Sequence, residues 1–341
     1  MQSQTPSHGI GPRSALGLSV LPSERSPTPI TADSVLLALT SQGATTLHLP
    51  AVGLPGLVEG LAHLTAAARP PIQVVAVDAE LGAIADARPQ AAKAQLASLD
   101  KEESRTAVSV AQSALRVAKT LGARHVRLRL GEVDGLERLW KEARSHFLRG
   151  AILDEDDTEP GEALLRARSA LMPRHLDAVR RAIEQLANHA VRSEQTLLLG
   201  YPRRATELPL PIEVRLLCEE FAGAPIAPSL DLPAAHLASM MRLVSMADSV
   251  RSFAKGPLHC IGDACGPVGA LPPGSGEVDV AAVCKALPKD AVLSFMPWPG
   301  LSFREVLSGL AALTQLHPDS QREPDTWPSS PVPATHPSRQ R

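Results

Sequence analysis

The chain predicts a single parallel (β/α)8 barrel over residues 14–316, and three observations carry that expectation. Between residues 106 and 316 short apolar runs alternate with helical stretches, always strand first. Strict alternation of this kind gives a parallel sheet, and eight units close it. The length of 341 residues suits one barrel, which typically takes ~250 residues, with a tail at each end. Finally, Asp231 in Pro-Ser-Leu-Asp-Leu and His259 in Pro-Leu-His-Cys fall at strand ends, where barrels gather their chemistry.

The elements follow in order. Leu16 to Val20 alternates in period 2 as the first strand. Thr31 opens a helix carrying Val35, Leu36 and Leu39, and Gly43 ends it as a C-cap glycine. Thr46 to Leu49 is the second strand, Leu54 to Ala68 the second helix and Ile72 to Val77 the third strand. A long polar connection, residues 79–104, leads into a helix with Val108, Ala111, Leu115 and Ala118 on one face, stopped at Gly122. His125 to Leu130 is the fourth strand. An acidic segment at 154–159, expected to lie in solvent, precedes a helix striped by Leu176, Val179, Ile183, Leu186 and Ala190. Thr196–Leu199, Ile226–Leu230, Leu258–Ile261 and Val292–Phe295 are strands five to eight. The last helix, Ser302 to Leu316, turns Val306, Leu307, Leu310 and Leu313 toward the barrel wall. Residues 1–13 and the Pro-rich 317–341 cannot bury enough apolar surface to offset ordering, and disordered tails are expected there.

Composition narrows the function. Lys and Arg number 34 against 36 Asp and Glu, so no nucleic-acid or membrane footprint is expected. Aromatic residues make up 3%, too few for stacking platforms. Cys218, Cys260, Cys265 and Cys284 form no C-x-x-C pair and read as free thiols of a reducing compartment. With no apolar signal segment at the N-terminus, a cytoplasmic protein is expected.

Alternation in the strands assigns faces. Val126, Leu128 and Leu130 should meet the helices, which turns His125, Arg127 and Arg129 inward; likewise Leu47 and Leu49 face out and Thr46 and His48 face in. A buried arginine needs an anion. Two readings stay open. Arg127 and Arg129 form ion pairs with an interior carboxylate such as Asp78 or Asp231, or they bind an anionic metabolite carrying a carboxylate or phosphate. The strand ends also offer His48, Asp78, Glu132, Asp231, His259 and Asp263. Asp231 and His259, on adjacent strands, are candidate ligands of one divalent metal ion. Cys260 should point away from the lumen into the core, and Cys265 is a weak ligand candidate. The glycine-rich loop 262–276 permits close backbone approach to a ligand or serves as a plain turn.

These segments resemble the xylose isomerase-like TIM barrels, the superfamily of sugar (phosphate) isomerases and epimerases, over roughly residues 15–316. His259-Cys-Ile-Gly-Asp263 with Pro273-Gly-Ser-Gly-Glu-Val-Asp279 is similar to that family's "H-x-x-D … G-x-G-x-x-D" passage. Ala118-Lys-Thr-Leu-Gly-Ala-Arg-His-Val126 is similar to its entry into strand four. Ser229-Leu-Asp231 followed by His236 is similar to its aspartate with a nearby histidine. The resemblance implies one divalent ion (Mn, Co, Zn or Mg) held by Glu, Asp, His and Glu from four strand ends, with the glutamates moving a proton beside a carbonyl. Here the Asp matches Asp231 and the His matches His259, but Leu198-Leu-Gly200-Tyr201 and Ser294-Phe-Met296-Pro297 stand where the glutamates should be.

Two function classes follow. In one, a divergent isomerase or epimerase acts on a small metabolite, with metal on Asp231 and His259. His48, Asp78 or Glu132 then replaces the missing base, and Arg127, Arg129, His236 and Asp263 bind substrate. In the other, the barrel has lost catalysis and binds a metabolite or protein partner without metal, its arginines holding an anion. A DNA-repair nuclease of the same superfamily is disfavoured by the charge balance. Barrels of this type often pair, so a homodimer is a further expectation.

Overall fold

Runs such as Gln73-Val-Val-Ala-Val-Asp-Ala79 and Thr196-Leu-Leu-Leu-Gly200 are apolar at almost every position, the pattern of strands covered on both faces. The computed structural model describes residues 14–17, 46–50, 60, 62–63, 65–67, 72–79, 94–150, 159–297, 301 and 303–316. Its strands are β1 (Ser14–Gly17), β2 (Thr46–Pro50), β3 (Gln73–Ala79), β4 (His125–Leu128), β5 (Gly131–Glu132) and β6 (Thr196–Gly200). There follow β7 (Glu207–Leu208), β8 (Ile226–Ser229), β9 (Leu258–Cys260), β10 (Asp263–Cys265), β11 (Val268–Leu271) and β12 (Val292–Phe295). Eight of them form one parallel sheet in the order β8-β6-β4-β3-β2-β1-β12-β9. The edges meet: the Cys260 amide donates to the Leu230 carbonyl at 2.8 Å, and Asp231 bridges Cys260. The sheet is therefore a closed barrel of eight parallel strands.

The helices are α1 (Lys101–Thr120), α2 (Glu137–Leu148), α3 (Glu159–Ser193), α4 (Pro211–Glu220), α5 (Leu232–Met240), α6 (Met246–Phe253), α7 (Val280–Ala286) and α8 (Phe303–Leu316). Their starts are chemical. Asp100 accepts from the amides of Glu102 and Glu103, Ser245 from Asp248, and Asp279 from Ala282. The stripe Ala107, Val108, Ala111, Ala114, Leu115 and Ala118 of α1 is buried, as are Leu176, Val179, Ile183, Leu186 and Ala190 of α3. These residues join the outward-facing Leu47, Leu49, Val77, Val126 and Leu128 in one core between helices and barrel wall.

Several expectations shift. The first strand runs from Ser14 to Gly17 rather than from Leu16, and 18–20 lie outside the described residues. So do the helix expected from Thr31, both tails, and 154–158 of the acidic segment, while Glu159 begins α3. Strand four ends at Leu128, six at Ser229 and seven at Cys260. Two antiparallel ribbons, β5–β7 and β10–β11, were not expected, because their partners pair across loops and show no periodicity. Gly131 opposes Leu208, for example, across 77 positions of chain (208 − 131).

One buried arginine holds the outer layer together. Arg168 of α3 donates to both carboxylate oxygens of Glu213 on α4 and to the carbonyls of Ala205 and Glu207 at 2.7 and 2.8 Å. Glu213 in turn accepts the Leu210 amide at the start of α4. Both side chains are almost fully buried, so removing one partner strands the other's charge. Glu213→Ala is expected to cost about 3–5 kcal/mol in urea denaturation, whereas Arg168→Met with Glu213→Leu recovers most of it. Equal stability of Glu213→Ala and the parent would contradict this role.

Candidate functional site

Inside the barrel the side chains stack in two layers. The lower layer is apolar, with Ala76, Leu198 and Leu258 packed with Val75 and lined by Ala227 and Val292. The layer above it, toward the C-terminal mouth, is polar and contains His48, Asp78, Arg127, Cys260 and Ser294, with Asp231 and Met296 higher still. Register places them together, since Asp78 pairs with Arg127, and Cys260 with Ser294.

Arg127 is the hub. Its Nε donates to Asp78 Oδ1 and its Nη2 to Asp78 Oδ2, both at 2.7 Å, a bidentate fork. Nη1 donates to the Cys260 sulfur at 2.6 Å and lies 3.7 Å from Asp231 Oδ2. Nη2 also reaches the Met296 sulfur at 3.3 Å. Burial opposes ionisation of Asp78, but Arg127 and His48 outweigh it and hold the carboxyl well below the usual range. Asp78 likewise keeps the guanidinium charged against burial. Of the two roles open to Arg127, this is the interior ion pair, and its fork is spent on Asp78 rather than offered to a substrate.

His48 completes the layer. With Asp78 ionised, Nε2–H donates to Oδ1 at 2.7 Å, and Nδ1 accepts from the Ser294 hydroxyl at 3.0 Å. The order Ser294, His48, Asp78 is that of a hydrolase relay. Yet Ser294 and His48 have no exposed surface, and the Asp78 charge is already neutralised by Arg127. This relay ties β2, β3 and β12 together and presents no open nucleophile or base, contrary to the expected basic roles of His48 and Asp78.

Other expected site residues lie elsewhere. His259 faces away from the lumen; it is fully buried, with Nδ1 accepting the Leu230 amide at 3.2 Å. It does not share an ion with Asp231. The residue that faces in is Cys260, expected to face out. A three-residue strand offers too few positions to set the phase, and the register Leu258↔Val292, Cys260↔Ser294 sets it instead. Asp263, expected on substrate, is fully buried and accepts the amides of Ala264, Gly274, Gly276 and Val278. It shapes the glycine-rich loop, and Gly276 must lack a Cβ because one would sit 2.2 Å from the Ala264 carbonyl.

Glu132 belongs to the β5–β7 ribbon, 3.4 Å from Arg204, and not to the lumen hub. Burial raises its pKa against the pull of Arg204. His236 sits on α5 with Nε2 buried and no hydrogen-bond partner among the described residues. Arg129 lies one residue beyond β4, half-buried and already engaged in an interaction. Asp231, as expected, reaches the mouth, where Oδ1 also caps α5 through the Ala234 amide at 3.2 Å. A water-sized pocket is lined by Trp140, Tyr201, Arg203, Leu210, Leu237 and Met241. Cys260 and Met296, which touch the hub, were not among the expected site residues. The inward phase that strand pairing gives Cys260, and the place of Met296 at a strand end, are the signals that point to them.

No family model and no curated protein sequence matches the chain. Solved structures share its fold. It superposes on 3-keto-D-glucoside 4-epimerase YcjR from E. coli with a TM-score of 0.58 at 10% identity, covering 89% of this chain and 99% of that one. A D-tagatose 3-epimerase-like protein gives 0.61 at 14% identity over 84% and 93%. A xylose isomerase-like TIM barrel protein from Mycobacterium smegmatis, in complex with magnesium, gives 0.56 at 13% over 92% and 99%. At these identities the likeness is one of fold.

The donor set here does not suit a divalent ion. The strand ends where the resemblance places Glu, Asp, His and Glu carry Gly200, Asp231, Cys260 as the inward residue of β9, and Met296. One carboxylate and two sulfurs, one of them a thioether, make a poor seat for a hard cation. The neighbouring Arg127 charge opposes a dication further. Among the described residues no three His, Cys, Asp or Glu side chains converge as a metal site requires.

Burial lowers the pKa of His259 to about 4, and burial with His48 and Arg124 nearby lowers that of His125 to about 4. The unfolded chain, with histidines near 6.5, therefore binds protons first as pH falls. Their contribution is fully present above pH ~6.5 and is lost progressively down to about pH 4. Urea denaturation across that window should show falling stability, with a shallower fall in His259→Asn, which keeps an acceptor for Leu230. An unchanged slope in the variant would contradict the assignment.

Proposed function

We propose that this isomerase/epimerase-like barrel has given up metal-assisted proton transfer and acts by binding a small metabolite or a partner at its C-terminal mouth. The observation that carries this is the make-up of the mouth, where Gly200, Cys260 and Met296 replace a ligand-rich set and Arg127 occupies its centre. Proton abstraction beside a carbonyl needs a base within hydrogen-bond reach of the substrate. His48 has both ring nitrogens bonded, Asp78 is spent on Arg127, and Glu132 belongs to a separate ribbon. Bringing a dication to ~4 Å from a guanidinium costs several kcal/mol even at an effective dielectric of ~20.

In this reading a bound metabolite meets Asp231 and Met296 at the mouth rather than the Arg127 fork. If the metabolite is anionic, Arg129, one residue beyond β4, is its expected contact, and Arg129→Ala should weaken a carboxylate or phosphate ligand about tenfold in calorimetry. Among the described residues no helix is long and apolar enough to cross a membrane.

The test is elemental analysis of the purified chain after equilibration with Mn, Co, Zn or Mg and desalting, followed by ketose-epimerase and aldose–ketose assays. The expected result is far less than one ion per chain and no turnover. One retained ion per chain with epimerase or isomerase turnover would overturn the proposal.

A further inference from the structure

We infer that the Arg127 guanidinium is a resident cation, filling from within the chain a cation seat formed by Asp78, Asp231 and Cys260. The inference rests on the metal-free reading above and adds a role for the arginine. All three guanidinium nitrogens are engaged, by two carboxylates and two sulfurs from different strand ends. In the closed ring β12 lies diametrically opposite β4, so the contact to Met296 at the end of β12 spans the lumen. An ion pair with Asp78 alone would leave Nη1 without a reason to lie between Cys260 and Asp231.

Charge and shape agree. Two carboxylates face one guanidinium, while both ring nitrogens of His48 are hydrogen-bonded, to Asp78 and Ser294. Without the arginine, two carboxylates would share one nearly buried space with no guanidinium between them. Gly200 belongs to the same arrangement. A Cβ there would come 3.3 Å from Cγ and 3.5 Å from Cδ of Arg127 and 3.1 Å from the Leu128 carbonyl. The glycine that stands in place of a glutamate therefore gives the arginine stem its path. Lysine could not substitute in full, because a single ammonium cannot fork onto Asp78 while also reaching Cys260 and Met296.

The test removes the cation and supplies another. Arg127→Ala in the full chain is expected to lower Tm by about 10 °C or more. Millimolar guanidinium chloride should raise the Tm of this variant and not that of the parent. A destabilised variant that guanidinium does not restore would overturn the inference, as would a variant as stable as the parent. Should Arg127→Ala not fold, Arg127→Lys and Arg127→Met replace it. A folded Lys variant more stable than the Met variant supports the cation seat, and equal stability overturns it. Mn(II) retained by the parent would instead strike the metal-free reading, so the two failures are told apart.

Discussion

The interior of this barrel is organised by a charge that cannot be neutralised by losing a proton. A guanidinium stays protonated, so once Arg127 points into the lumen the surrounding strands must supply anions or accept an unpaired buried charge. Asp78 supplies the fork, Asp231 the second carboxylate, and His48, itself bonded to Ser294, adds a third hydrogen bond to Asp78. β2, β3, β4, β9 and β12 are thereby joined through side chains as well as through the sheet. The same solution recurs outside the barrel, where Arg168 is matched by Glu213 and two backbone carbonyls. A buried pair of this kind adds little net stability over an apolar replacement, yet breaking one partner is costly, so such pairs constrain which arrangements survive.

That constraint separates fold from chemistry. The chain shares its barrel with sugar epimerases over most of its length, at identities of 10–15%. A shared barrel does not transfer a reaction, because reactions reside in the groups at strand ends. Here those groups are occupied with one another. Asp263 spends its carboxylate on four loop amides, His259 is a neutral wall residue, and the polar layer closes on itself around Arg127.

Much of the fold was legible because parallel strands covered on both faces are continuous apolar runs separated by helical stripes. Val292–Phe295 is bounded in the structure as in the sequence, and α1 and α3 bury the stripes their spacing marks. The inward direction of Arg127 was legible too, from Val126 and Leu128 on either side. The phase of β9 was not, since Leu258-His-Cys260 is too short to show period 2, and only pairing with β12 turns Cys260 in. Nor was the role of Asp263, because a carboxylate that gathers backbone amides looks in sequence like one that gathers a ligand. The β5–β7 ribbon depends on partners dozens of residues apart and leaves no local trace.

A guanidinium, and not an exchangeable ion, sits at the middle of the mouth. An anomalous difference map at the manganese edge, from crystals of the parent chain soaked in Mn(II), tests it most directly. The account requires planar side-chain density for Arg127 between Asp78 and Cys260, with no anomalous peak within coordinating distance of Asp231. A manganese peak there, with Arg127 swung away from Asp78, would contradict it.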